Sequence, residues 1–201
     1  MSFQLLKEQF SQQFPFLHSE ELALLLSIGQ YKRVKNKTQI ITSGETAASF
    51  YFIINGMIRG FFLDSFGEEQ TVFLKGKNTF TTVPEAFQAN KKTKYTLETI
   101  GETIFIEFPI ANFEQLAKEN LAIAQLYIEG LKENVSVLIF RVELLATKKP
   151  EERYEAMLEQ FPDFFQLAYN KHIANYLGIT PNSLSRIIKR KKEGKSGRKK
   201  N

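Results

Sequence analysis

Between Leu121 and Leu145 apolar residues recur at alternating intervals of three and four: Leu121, Ala124, Ile128, Leu131, Val135, Leu138, Val142 and Leu145. On a helix of about 3.6 residues per turn this set forms one near-straight stripe, the a/d seam of a helix pair, sustained over more than three heptads. Ile123, Tyr127, Ile139 and Phe140 lie off the stripe. The spacing therefore predicts one long helix over 120–147 with two apolar surfaces and two partners. One surface faces the body of its own chain; the seam faces the same helix of a second chain. A helix buried within a monomer is the alternative.

The chain ahead of this helix has a different character. Residues 4–28 show helical periodicity, with Ser19 placed to cap a helix carrying Leu22, Leu25, Leu26 and Ile28. From 31 to 108 the runs TQII, FYFII, MIRGFFL, QTVFL, YTLETI and TIFIEF are short, β-branched and aromatic. Gly44, Asn55-Gly56, Asp64 to Gly67 and Gly76 punctuate them, and Asn55-Gly56 predicts a tight hairpin. Many short strands at turn spacing imply an antiparallel sandwich or roll. Residues 84–91 interrupt the strands with a single helical turn, and Pro109 and Asn112 open a short helix.

Behind the long helix, Lys148-Lys149-Pro150 marks a boundary, and EERYEAMLEQF follows as a helix that Phe161-Pro162 terminates. Residues 171–192, KHIANYLGITPNSLSRIIKRKK, then read as two helices around a tight turn. Ala174 is small where the helices cross, and Gly178 suits the left-handed residue that ends the first. Thr180 is an N-cap, and Pro181 fits the first position of the second helix. Ile173, Leu177, Ile179, Leu184 and Ile187 form the inward seam. Asn182, Ser185, Arg186 and Lys189 face outward, where such side chains hydrogen-bond base edges or phosphates. This is the layout of a DNA-binding helix-turn-helix with Pro181–Lys192 as the recognition helix. Its candidate DNA contacts are Thr180, Pro181, Asn182, Ser185, Arg186, Lys189 and Arg190. A solvated αα-hairpin is the plainer reading of the same residues.

Charge agrees with a polyanionic partner. The chain carries 27 Lys/Arg and 22 Asp/Glu. Ten of those bases and a single acid, Glu193, fall in residues 171–201, so a basic end sits on a mildly acidic body. Residues 193–201, EGKSGRKKN, lack apolar anchors and predict a disordered basic tail. The chain has 19 Phe and no cysteine. The aromatic content supplies a bulky core. The missing cysteines exclude disulfides and cysteine-ligated clusters. No apolar run reaches membrane-spanning length and the start is no signal peptide, so a cytoplasmic protein without a membrane partner is expected. No Gly-rich phosphate loop, metal-ligand cluster or nucleophile–base set marks an enzyme.

In this order, a strand-rich roll, a long seam helix and a C-terminal helix-turn-helix, the chain resembles the Crp/Fnr family of bacterial transcription regulators, from about Phe14 to Arg190. Its most specific segment is ITSGETAASFYFIINGMIRGF, residues 41–61, where Gly44, Glu45, Tyr51, Ile53, Gly56 and Arg59 match the family pattern. LATKKPEERYEAML resembles the family's hinge and first DNA-domain helix. The resemblance implies an α+β fold: an antiparallel, jelly-roll-like β-roll with flanking helices, a long dimerisation helix and a C-terminal all-α helix-turn-helix domain lacking an obvious wing. The implied units are 1–119 for the N-terminal helix and roll, 120–147 for the dimerisation helix, 148–192 for the helix-turn-helix domain and 193–201 for the tail. The implied partners are double-stranded DNA, a second copy of the chain, RNA polymerase and a small effector of unknown identity, with no cofactor. A constitutive regulator, or a module on the same roll that no longer reads DNA, stays open.

The departures concern the effector. Cyclic-AMP-binding members hold the ribose with a Gly-Glu pair and the cyclic phosphate with an Arg-Ser pair. Along the family pattern Thr82 and Val83 fall at the first pair, and Thr93 and Lys94 at the second. Glu85 and Lys94 are the nearest substitutes, and a lysine does not reproduce the bidentate fork of an arginine. Leu138 and Ile139 stand where the long helix would meet adenine. These seven residues form a degenerate effector pocket that predicts no cyclic AMP, with Lys91, Lys92 and Lys94 left as a site for another anion. His18 and His172 are expected to be surface or capping residues.

Overall fold

The computed structural model describes residues 3–88 and 90–197, with side chains described for 8–88 and 90–193. Helices α1 (Phe3–Gln13) and α2 (Ser19–Ile28) precede six strands: β1 (Gln30–Val34), β2 (Gln39–Ile41), β3 (Ser49–Leu63), β4 (Glu69–Lys75), β5 (Thr79–Thr81) and β6 (Thr96–Pro109). A 3₁₀ turn, Pro84–Phe87, lies between the last two. Five helices follow the roll before the last: α3 (Ile110–Glu119), α4 (Leu121–Thr147), α5 (Pro150–Gln160), α6 (Phe164–Leu167) and α7 (Asn170–Tyr176). The final helix is α8 (Pro181–Gly197). The sheet is antiparallel in the order β1-β6-β3-β4, with β2 also on β6 and β5 also on β3.

The two long strands decide this arrangement. FYFII and MIRGFFL are one strand, not two: β3 pairs with β6 from Ser49↔Pro109 to Phe61↔Thr96. The hairpin expected at Asn55-Gly56 is therefore a bulge, and the register shifts on both sides of Asn55. Gly56 has φ +85, and a Cβ there would stand 2.6 Å from Thr103 Oγ1 and 2.7 Å from the Glu102 carbonyl. The glycine thus bends β3 at a close approach to β6 instead of reversing the chain. The reversal comes at Asp64–Gly67, where Asp64 Oδ1 accepts from the N–H groups of Phe66 and Glu68.

Ile53, Phe73, Leu97 and Phe105 of the strands pack inside the roll with Val83, which precedes the 3₁₀ turn. A second, aromatic cluster binds α1, α3 and the start of α4 to the roll through Phe10, Phe14, Phe50, Phe52, Phe80, Phe108 and Phe113, with Phe50 and Phe113 ring centres 4.7 Å apart. Asn120 Oδ1 accepts from the N–H groups of Ala122 and Ile123 and starts α4. A third cluster holds the C-terminal helices together: Met157, Ile173, Ala174, Leu177, Leu184 and Ile187 pack with Leu144 of α4 and with Met57, Leu74 and Ile100 of the roll.

That junction also carries polar bonds. Arg59, 1% exposed, donates to Glu69 Oε2 at 2.6 Å and to Thr71 Oγ1 at 3.1 Å, with Glu98 at 3.5 Å and His172 Nε2 at 3.3 Å. Asn175 of α7 accepts from the Thr71 N–H and donates to the Glu69 carbonyl. Arg141 of α4 spans both sides, donating to the carbonyls of Thr71, Val72 and Tyr176. So the helix-turn-helix docks on β4 by its first helix. His172, expected at the surface, is buried at 4% exposure because α7 turns it onto Arg59; His18 precedes α2 without a side-chain cap bond.

Two boundaries differ from expectation. The segment 193–197 continues α8 to Gly197, because no residue between Pro181 and Gly197 forbids helical geometry; 198–201 lie outside the described residues. Helix α6 was not anticipated, since four residues carry no period.

The junction has a pH signature. Burial, then the Arg59 charge, pushes the His172 imidazole down to about 4, with Lys171 and Lys37 acting in the same direction and Glu69 against them. The folded state therefore binds this proton below pH 4 while the unfolded chain binds it near the ordinary 6.5, so stability present above pH 6.5 is lost as pH falls through about 4. Thermal unfolding from pH 7 to pH 4 should show a loss of about 3 kcal/mol from this group. His172→Gln should remove that loss, which lies between pH 6.5 and about 4. Identical pH profiles for the two proteins would place the titration elsewhere.

Candidate nucleic-acid interface and ligand cavity

Helix α8 presents two unlike faces. Ile173, Ala174, Leu177, Leu184 and Ile187 are each no more than 2% exposed, and Ile179 packs partly buried against them. Gly178, φ +66, ends the first helix as the sequence requires, and its Cβ position lies 3.1 Å from Leu145. Thr180 Oγ1 accepts from the Ser183 N–H and caps α8. Thr180, Pro181, Asn182, Ser185, Arg186, Lys189 and Arg190 are all exposed. The seven therefore share the outer side of one helix start and its next two turns.

Their electrostatics are not uniform. Arg190 donates to Glu151 Oε1 at 2.7 Å, and Lys191 is bonded to Glu155, so these two lean on α5. Lys189 stands 3.9 Å from Glu193 at i,i+4. Among the described residues Arg186 is the basic residue of the set that forms no ion pair. Surface pairs of this kind are weak and screened, so a phosphate can compete for Arg190. Among the described residues no strand follows α8.

The seam of α4 is open. Leu121, Ile128, Leu131, Val135, Leu138, Val142 and Leu145 are 37% to 90% exposed, and Ala124 is half-buried. Ile123 and Leu126, one face round, are fully buried against the roll. Such a row of seven exposed aliphatic side chains on one helix marks an interaction surface.

Beneath the seam lies a cavity of about 270 Å³ between the roll, the 3₁₀ turn and α4. Of the seven residues expected in an effector pocket, Thr82, Val83 and Leu138 line it. Glu85 and Thr93 do not. Both are buried, and Thr93 Oγ1 donates to Glu85 Oε2 at 3.1 Å, so the two satisfy each other. Lys94 is exposed and lies over the rings of Phe62 and Tyr95; Ile139 is exposed at 52%. Lys91 and Lys92 are also exposed, and none of the three lysines reaches the cavity. The cation in its wall is Lys75, at 3% exposure, whose Nζ donates to Glu133 Oε1 at 2.7 Å. Burial holds the Lys75 ammonium below its ordinary range, and Glu133 opposes that. The signal for Lys75 was present in the strand alternation, where Phe73 and Lys75 share one face of β4; a bulge between Thr71 and Phe73 turns Thr71 to the junction instead. Arg59 gave no such signal beyond its match to the family pattern.

No helix among the described residues is long and apolar enough to cross a membrane. Residues 31–120 match the family described as cyclic nucleotide-binding domain. The chain is 28% identical over 195 residues to the regulatory protein HlyX of Actinobacillus pleuropneumoniae, covering 88% of this chain and 78% of that protein. It is 28% identical over 125 residues to the global nitrogen regulator of a Nostoc species, covering 62% of this chain and a little over half, 56%, of that regulator. The fold is similar to FixK2 from Bradyrhizobium japonicum, with TM-score 0.69 and 18% identity over 81% of this chain and 84% of that one. A Crp/Fnr-family regulator structure from Eubacterium rectale gives TM-score 0.66 and 18% identity over 89% and 86%. Residues 31–120 thus carry a cyclic nucleotide-binding domain, and with a seam helix and a helix-turn-helix following it the chain is similar to Crp/Fnr-type transcription regulators.

Proposed function

We propose that the chain acts as a homodimer that reads double-stranded DNA with α8 and takes a small effector other than a cyclic nucleotide in the cavity under α4. The observation that carries the reading is the division of α8, its apolar side fully buried and its seven polar or helix-start residues exposed together. Arg186 and Asn182 project from the first two turns and suit guanine O6/N7 and adenine N6/N7; Ser185 serves base or phosphate. Thr180 and the N–H groups at the helix start, where Pro181 fits the first position without one, hold a phosphate. Lys189, Arg190 and the basic end supply attraction without sequence preference. Two such helices in a two-fold dimer meet half-sites about 34 Å apart.

A second reading has one observation in its favour. Arg190 and Lys191 are partnered by α5, which reduces the cationic face. A protein-interaction module would use that partly neutralised surface. Anisotropy on random duplex against salt separates the two, since only a DNA reader loses affinity steeply as log salt rises.

The dimer has its own test. Val135 and Val142 lie on the exposed seam and away from the cavity. Val135→Glu with Val142→Glu would bury like charges across the two-fold axis, at a cost of about 3–5 kcal/mol. The double variant should sediment as a monomer and the unmodified chain as a dimer. A monomeric unmodified chain at micromolar concentration sinks the seam as an interface.

DNA readout follows from Arg186. Arg186→Ala should cost about 1–3 kcal/mol on a selected palindromic site and relax preference at one base pair. Equal loss on every sequence would make Arg186 a phosphate contact. Calorimetry with cyclic AMP and cyclic GMP should be flat, because Val83 and Thr93 stand where a carboxylate and a guanidinium are needed. Micromolar binding of either would contradict the effector part of the reading.

A further inference from the structure

We infer that the cavity binds a small amphipathic carboxylate: an apolar body of about ten non-hydrogen atoms whose single carboxylate bonds to the Lys75 ammonium. The inference rests on the cavity being the effector site proposed above.

Size and lining set the body. Phe50, Phe80, Phe87, Val83, Leu126 and Tyr127 give the cavity apolar walls. An apolar cavity of about 150 Å³ accommodates benzene, so about 270 Å³ suits roughly ten to eleven non-hydrogen atoms. A cyclic nucleotide has about twice that many non-hydrogen atoms, and among the described residues no carboxylate lines the cavity to receive its ribose hydroxyl.

Charge sets the head group. Lys75 is the one charged residue lining this cavity among the described residues. An ammonium has three donors, and Glu133 Oε1 takes one. A ligand cation would be repelled, and a neutral body would leave donors of a buried ammonium unmet. A carboxylate supplies the missing acceptor. Glu133 can yield its place, because its side chain is 35% exposed while that of Lys75 is 4% exposed. Lys75 and Val137 also line a second cavity of about 190 Å³. Glu133 and the Phe161–Phe164 segment bound that second space. A head group arriving at Lys75 thus acts on the wall between the effector cavity and the DNA-binding helices.

The test is calorimetry of the full chain with octanoate, 3-phenylpropionate and 1-octanol, repeated on Lys75→Met and Glu133→Gln. Octanoate or 3-phenylpropionate should bind at least about tenfold tighter than the alcohol, the factor expected of one charge-assisted hydrogen bond. The two acids distinguish a flexible alkyl body from a flat aromatic one. Lys75→Met should erase the preference for acid over alcohol. Glu133→Gln should tighten the acids several-fold by removing the competing carboxylate, and it keeps the test alive if Lys75→Met folds poorly. No binding of either acid, an alcohol as tight as the acids, or a preference that survives Lys75→Met would each overturn the inference. Flat octanoate with flat cyclic AMP overturns the carboxylate alone. Tight cyclic AMP overturns the effector reading beneath it, and the DNA titration stands apart from both.

Discussion

The antiparallel pairing of β3 with β6 is the constraint on which the rest of the structure depends. These strands, of 15 and 14 residues, run together through the bulge at Gly56. Each then carries other strands: β6 takes β1 and β2, and β3 takes β4 and β5. Because the pair bends at Gly56, its N-terminal half of β3 faces the phenylalanine cluster under α1, α3 and α4. Its C-terminal half carries Met57 and Arg59 to the junction with the helix-turn-helix. A strand of one straight run could not serve both. The close approach at Gly56, where any Cβ would meet Thr103 and the Glu102 carbonyl, makes that residue a structural requirement of the roll.

The junction is held by bonds of a different kind from those of the cores on either side. Arg59 is a buried and Arg141 a half-buried cation, and each bonds to partners on two structural units. A buried ion pair of this sort adds little net stability over an apolar contact, but it is costly to break by halves. It therefore fixes a single docking geometry. The first helix of the helix-turn-helix is thereby tied to the strand whose far end, Lys75, lines the cavity. β4 runs from Glu69 and Thr71 at the junction to Lys75 at the cavity within seven residues. A single short strand thus joins the junction to the cavity wall.

The two cationic sites differ in where their charges lie. The lysines of the 91–94 segment stay in solvent, and Thr93 turns inward to satisfy Glu85. The polar cassette has closed on itself, and aromatic rings occupy the space that remains. The one charge left at the wall comes from another strand.

By itself the sequence determined the order of units, the length of the seam helix, the cap and glycine of the helix-turn-helix, and the division of α8 into inner and outer faces. All of these follow from periodicity and local backbone preference, which act over a few residues. Gly178 and Thr180 are legible for that reason. Tertiary structure alone decided whether Asn55-Gly56 would reverse the chain or bend it, since a glycine at positive φ permits both and only β6 alongside selects the bend. It also decided that His172 and Arg59, 113 residues apart, would meet, that Arg190 would lean on Glu151, and that Lys75 rather than Lys94 would face the cavity. Those contacts join distant segments, and no local pattern of residues encodes which charge will be buried against which partner.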